Sequence, residues 1–157
     1  MMYGNGVTPV GVHPIRESTS FVLAKVCKVH RAYVGALLAE HGLHVGQEMV
    51  LLELWREDGL RGGELAARLG VEPPTVTKML RRLEGCGLVE RSQDPADARC
   101  FHVHLTEEGR ALEEPVRRCW TETEQTVLAG LSSGERRTFR KLLIRVRSNL
   151  DAGFSAE

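Results

Sequence analysis

Residues 73–86 read PPTVTKMLRRLEGC, and two short hydroxyls, Thr75 and Thr77, share that stretch with the cations Lys78, Arg81 and Arg82. Val76, Leu80 and Leu83 recur at four- and three-residue spacing, so a helix here turns them toward a core. The opposite face then carries Pro74, Thr75, Thr77, Lys78, Arg81 and Arg82. Such a face suits a polyanion whose edges can be read: threonine approaches closely, and arginine can bind a guanine edge through two parallel hydrogen bonds. The competing reading is an ordinary helical hairpin with solvated charges.

A second group lies in DPADARC, residues 94–100. Asp94 and Pro95 are turn chemistry. Arg99 stands where a two-stranded ribbon would project it, and a cation there can enter a narrow, electronegative minor groove. Asp97, two residues away, is expected to hold the Arg99 guanidinium by a charge-assisted pair. The same pair could instead only stiffen the loop.

Two further constellations suggest other chemistry. Cys100, His102 and His104 alternate and so share one strand face, a spacing able to hold zinc or copper. That face is expected to be solvated, and no fourth ligand is fixed nearby, so no metal is expected. Cys27 lies near His30 and Tyr33, which invites a redox reading. A reactive thiol needs an exposed, electropositive setting, and the expectation is a buried structural thiol. The four cysteines form no C-x-x-C pair, and no zinc-ribbon or thioredoxin-type site follows. Motifs such as G-x-S-x-G, H-E-x-x-H or a phosphate loop do not occur, so an enzyme is not expected, nor a cofactor.

The elements that must position these residues follow from periodicity. Residues 1–14 read as a flexible arm. From Ser18 or Ser20, the positions Val22, Val26, Val29, Tyr33 and Leu37 form one stripe of a long helix that Gly42 ends. A second helix starts near Val45 with Met49, Leu52 and Trp55 on one side. GGELAARLG supplies a short helix with Leu65, Ala66 and Leu69, and a three-residue link leads to the cationic helix, with Pro73 near its first position. Two short helices joined so tightly make a helix-turn-helix. LVER and CFHVHLT are strand candidates, the second with Phe101, Val103 and Leu105 on one face. Helix, helix, strand, loop, strand is a winged helix, with the polar insert as its wing. Thr106 caps a long helix to about Gly130 that Pro115 should kink. SSGE at residue 132 has the form of a capping box and opens a final helix through Phe139, Leu142, Leu143 and Val146.

The segments ELAARLGVEPPTVTKMLRRLEGCGLVER and DPADARCFHVHLTEEG resemble the MarR (multiple antibiotic resistance regulator) family of bacterial transcription factors, over roughly residues 18–150. The fold implied is mainly α with a small β-wing. A winged helix-turn-helix lobe at residues 45–105 would bind double-stranded DNA, and a helical region at 15–44 and 106–151 would intertwine two copies as a homodimer, leaving 152–157 as a tail. The resemblance also implies a repressor with a pseudopalindromic operator, released by a small aromatic or lipophilic effector; His30, Tyr33 and Trp55 could line its pocket, though core packing explains them equally. One departure is Gly62 and Gly63, where the family usually has a Ser or Thr cap, which should soften that helix end. The zinc-sensing branch places histidines after the wing where EEGRALEEP has none, and the peroxide-sensing branch aligns its cysteine near Ser20 and not Cys27. A redox- or metal-sensing regulator of this fold, and a winged helix used only for protein contacts, stay open as alternatives.

Composition sets the outer bounds. At 157 residues, 42% hydrophobic and 27% charged, the chain is the size of one globular domain. Its 21 basic and 21 acidic residues cancel, which argues against indiscriminate coating of polyanions. No apolar run approaches the roughly 18 residues of a membrane span, and the N-terminus has no basic start with an apolar core, so no membrane association is expected and the cytoplasm is the expected location.

Overall fold

The computed structural model describes residues 13–154; the expected N-terminal arm, except His13 and Pro14, and the last three residues lie outside them. The described chain forms two units, one ending at Val116 and one beginning at Arg117. In order, the elements are α1 (Pro14–Glu17), α2 (Thr19–Ala39), α3 (Gln47–Arg56), β1 (Leu60–Arg61), α4 (Gly62–Leu69), α5 (Pro73–Gly85), β2 (Val89–Gln93), β3 (Phe101–Leu105), α6 (Glu107–Ala111), α7 (Glu113–Val127) and α8 (Ser133–Phe154). This is the mainly helical architecture with a β-wing.

The first unit is built around α3, α4, α5 and a three-stranded antiparallel sheet of order β1-β3-β2. Leu51, Leu54, Leu65, Val76, Leu80, Leu83 and Val103 are each at most 1% exposed and make its core; each buried aliphatic side chain of this kind contributes about 1.5 to 3 kcal/mol. β3 is the middle strand: Val103 faces Leu60 on one side and Arg91 on the other.

Local signals act as the physical chemistry requires. Ser18 caps α2 through its Oγ, which accepts from the Phe21 N–H. Thr106 caps α6 by accepting from the Gly109 N–H at 3.0 Å, and its hydroxyl donates to the Gly87 carbonyl. The SSGE capping box is complete, with Glu135 accepting from the Ser132 N–H and Ser132 Oγ from the Glu135 N–H. α4 ends on Gly70, whose φ of +64° lies in the left-handed region that favours glycine.

Several expectations need correction. On α3 the inward positions are Val50, Leu51 and Leu54, whereas Met49 and Leu52 are 44% and 41% exposed. Four successive apolar residues, 49–52, left the phase of that helix open. The helix after Thr106 is not one kinked rod: it breaks at Leu112 into α6 and α7, so Pro115 occupies the first turn of a new helix, where its missing N–H costs nothing. Along α2, Val34 and Leu38 are buried, but Val22, Val26 and Val29 are 53–66% exposed. α8 continues to Phe154 and so takes in the first three residues of the expected tail. The two-residue strand β1 was not anticipated, being too short to show any period.

The second unit holds the rest of α7 and α8. α8 exposes Leu142, Ile144, Leu150 and Phe154 at 50–84%. Among the described residues, no helix is long and apolar enough to cross a membrane.

Candidate nucleic-acid interface

α5 begins at Pro73, which occupies a position whose N–H would have no helical partner. Val76, Leu80 and Leu83 anchor it, at 1% exposure or less. The face pointing away carries Pro74, Thr75, Lys78, Arg81 and Arg82, all exposed. No ion pair among the described residues holds Lys78, Arg81 or Arg82, so three cations stand available along little more than one turn of helix. Thr77 lies on the flank, half-buried, and its hydroxyl donates to the Pro73 carbonyl one turn back at 3.1 Å. Its remaining capacity is as an acceptor.

The C-terminal end of α5 is tied to the wing. Arg91 of β2 makes a two-pronged pair with Glu84, Nε to Oε1 at 2.8 Å and Nη2 to Oε2 at 2.7 Å. Its guanidinium also lies 5.3 Å from the Phe101 ring centroid, a cation–π distance. Arg91 read as an unremarkable strand residue in the sequence because Glu84 belongs to a different element. The contact ties the C-terminal end of α5 to β2 and β3.

In the wing, Arg99 is exposed and its guanidinium pairs with no described residue. Asp97 does not hold it. One carboxylate oxygen accepts from the Arg99 backbone N–H at 3.0 Å and the other from Cys100 Sγ at 3.4 Å. The Cys100 thiol is correspondingly harder to ionise, chiefly through that hydrogen bond to Asp97. Asp97 therefore shapes the turn, because a carboxylate two residues back can reach a main-chain N–H more easily than the tip of a long side chain. The direction of Arg99 therefore follows from the backbone of the wing turn.

Asp94 does more than turn chemistry. Oδ1 accepts from the Ala96 N–H, as a turn requires, but Oδ2 meets Arg61 Nη2 at 2.7 Å and His102 Nε2 at 3.1 Å. Arg61 is 33 residues distant in sequence, and nothing in the local pattern pointed to it. Hence His102 is not on a solvated face: it is half-buried, with Nδ1 on the Gly59 carbonyl and Nε2 on Asp94. Both ring nitrogens are engaged, which withdraws His102 from metal ligation, and among the described residues no cluster of three potential ligands occurs.

Gly62 lies where a Cβ would fall on the Phe101 ring. Its role is close packing of α4 against β3, and its want of a capping side chain is secondary; the start of α4 does lack a side-chain cap. Asp58 supplies a related fixture, accepting from the Leu105 N–H at 2.9 Å and from Arg110 Nη2 at 2.7 Å.

The other candidates lie on α2 and α3. Trp55 donates from its indole to the Gly109 carbonyl at 2.9 Å, which pins α3 to α6. His30 and Tyr33 are half-buried on α2. Cys27 is exposed and not buried.

Residues 43–101 match the model of the MarR family. Over 122 residues the chain is 38% identical to the HTH-type transcriptional regulator TtmR of Methylorubrum extorquens, covering 78% of this chain and 61% of that one. It therefore spans less than two thirds of that relative's length. The HTH-type transcriptional repressor Rv2887 of Mycobacterium tuberculosis is 31% identical over 129 residues, 82% of this chain and 93% of its own. Among solved structures, the MepR–DNA complex of Staphylococcus aureus superposes with a TM-score of 0.77 at 27% identity, over 84% of this chain and 98% of that one. With a winged helix-turn-helix whose outward helix face is cationic, and with these relatives, the chain belongs to the MarR family of DNA-binding transcriptional regulators.

Proposed function

We propose that the protein is a ligand-responsive repressor that acts in the cytoplasm as a homodimer on a pseudopalindromic operator. The observation that carries the reading is the outer face of α5, where Lys78, Arg81 and Arg82 stand free of ion pairs over a core-anchored helix. Thr75, Thr77, Lys78 and Arg82 make the first contacts with base edges and phosphates, Pro74 allows the helix end to approach the groove, and Arg81 binds a phosphate. Arg99 enters the flanking minor groove, and Asp97 sets its loop.

The dimer draws support from apolar surface that a lone chain leaves in water. Val22, Val26 and Val29 on α2, and Leu142, Ile144 and Leu150 on α8, are all at least half exposed, which is costly unless a second copy covers them. Two copies related by a two-fold axis read half-sites about one helical turn apart. A small aromatic or lipophilic effector would act by changing that separation, with His30, Tyr33 and Trp55 as its candidate contacts. Residues 15–44 and 106–151 would form the helical region of the dimer.

The test is selection of duplexes from random-sequence DNA by the purified full chain, followed by titration. Enrichment of a two-fold symmetric site with half-sites one turn apart is expected; absence of any enriched sequence, with a protein partner recovered instead, would overturn the reading in favour of an interaction module. The exposure of Cys27 favours a second reading, in which oxidation of this thiol and not a ligand releases DNA.

A further inference from the structure

His102, in the middle strand β3, sits between two acceptors. Its Nδ1 is 2.9 Å from the Gly59 carbonyl oxygen and its Nε2 is 3.1 Å from Asp94 Oδ2. A neutral imidazole carries one N–H and can donate to only one of them; the imidazolium donates to both. Asp94 is 5% exposed, and the oxygen that faces His102 also accepts from Arg61 Nη2 at 2.7 Å. The partners come from different parts of the lobe. Gly59 and Arg61 precede α4, His102 lies on the central strand opposite Arg61, and Asp94 stands at the root of the wing.

Asp94 in turn governs where the wing turn leaves the sheet. Its own N–H donates to the Cys100 carbonyl at 3.0 Å, its Oδ1 accepts from Ala96 N–H at 2.8 Å, and the neighbouring Gln93 side chain donates to the Ala98 carbonyl at 3.0 Å. Displacing that carboxylate displaces the backbone that carries Arg99.

We propose that Arg61, Asp94 and His102 are positioning residues for the wing, and that protonation of His102 completes the clamp that aims Arg99 at DNA, so that affinity for DNA falls when the ring loses its proton to solvent. This rests on the wing reading of Arg99.

The electrostatics agree with the geometry. The Gly59 carbonyl, and then the Asp94 carboxylate, raise the His102 pKa above the ordinary 6.5, while desolvation and Arg61 oppose the shift. Asp94 is held below its ordinary 3.8 by the Ala96 N–H first and His102 second. The other titratable groups near the ring are His104, its centroid 6.4 Å away on the same strand, and Cys100, whose thiol feels both Asp94 and Arg61. Because the folded His102 pKa is raised, the clamp is complete below the ordinary value of 6.5 and is lost as pH rises through the raised one.

The test uses the full chain and a duplex that the wild type itself selects, with affinity measured at constant salt from about pH 6 to about pH 9. Wild-type affinity is expected to fall about tenfold across that window, the net worth of roughly one hydrogen bond. His102→Gln and Asp94→Asn should bind at the weakened level throughout, with flat profiles, and Arg99→Ala should be flat as well. Should a variant fold poorly, ring NMR of the wild type decides: His102 must titrate above 6.5, with both nitrogens protonated below the midpoint. A His102→Gln profile parallel to wild type, a steep profile kept in Arg99→Ala, or His102 titrating at or below its ordinary value overturns the inference. Wild-type affinity of Arg99→Ala at the acid end would instead overturn the wing reading itself.

Discussion

Arg82 and Arg99 carry the same guanidinium, and the proposed function gives them different chemistry. On the outward face of α5, Arg82 can bind a guanine edge in a major groove, where each such pair discriminates bases by about 1 to 3 kcal/mol. In a minor groove Arg99 reads width and charge, hardly base identity. Arg82→Ala is therefore expected to weaken binding and relax preference at one position of each half-site. Arg99→Ala should weaken binding with major-groove preferences intact, and in a dimer it should make the slope of log affinity against log salt shallower by up to about two units. Titrations over several salt concentrations with a panel of operator variants check both; wild-type affinity and slope in Arg99→Ala would leave the wing without a DNA role. Cys27 tests the redox alternative. Although it is exposed, Cys27→Ser is expected to leave DNA binding unchanged, and mild hydroperoxide should not release DNA from the wild type, as followed by gel shift. Release that vanishes in the variant would establish the redox reading.

Elements were legible to the extent that periodicity is local. Val76, Leu80 and Leu83 announced the inward face of α5 because mostly polar residues separate them, and they are buried. α3 was misphased because apolar residues run without a gap. The capping residues Ser18, Thr106 and Ser132 were readable, since a cap acts within three residues. What could not be read was long-range: Arg61 on Asp94, Arg91 on Glu84, Trp55 on Gly109. Each joins elements whose spacing in the sequence says nothing of their distance in space. Thr106 combines both kinds of contact, capping α6 and donating to Gly87. Thr106→Ala is expected to cost about 1 to 2 kcal/mol, read as a lower midpoint in urea unfolding at unchanged m. No shift in the midpoint would show that the hydroxyl's two bonds add nothing to stability.

For the whole molecule, the exposed valines of α2 and the exposed aliphatics of α8 set the expectation of a second copy. The full chain should run as a dimer by light scattering at micromolar concentration, its Tm should rise with protein concentration, and removal of residues 132–157 should leave it monomeric or insoluble. A wild-type monomer with a concentration-independent Tm would sink the dimer.

The position of β3 between β1 and β2 has a consequence for how such a regulator and its target sites change together. One strand is hydrogen-bonded both to the entry of the helix-turn-helix and to the wing. The lobe is thus a caliper with soldered jaws. If two copies read an operator as proposed, drift would be absorbed between half-sites, where only the joint between two lobes must adjust. Under the proposed reading it would not be absorbed within a half-site, because the interval from an edge read by α5 to the groove beside it would be set by the ladder of a single strand.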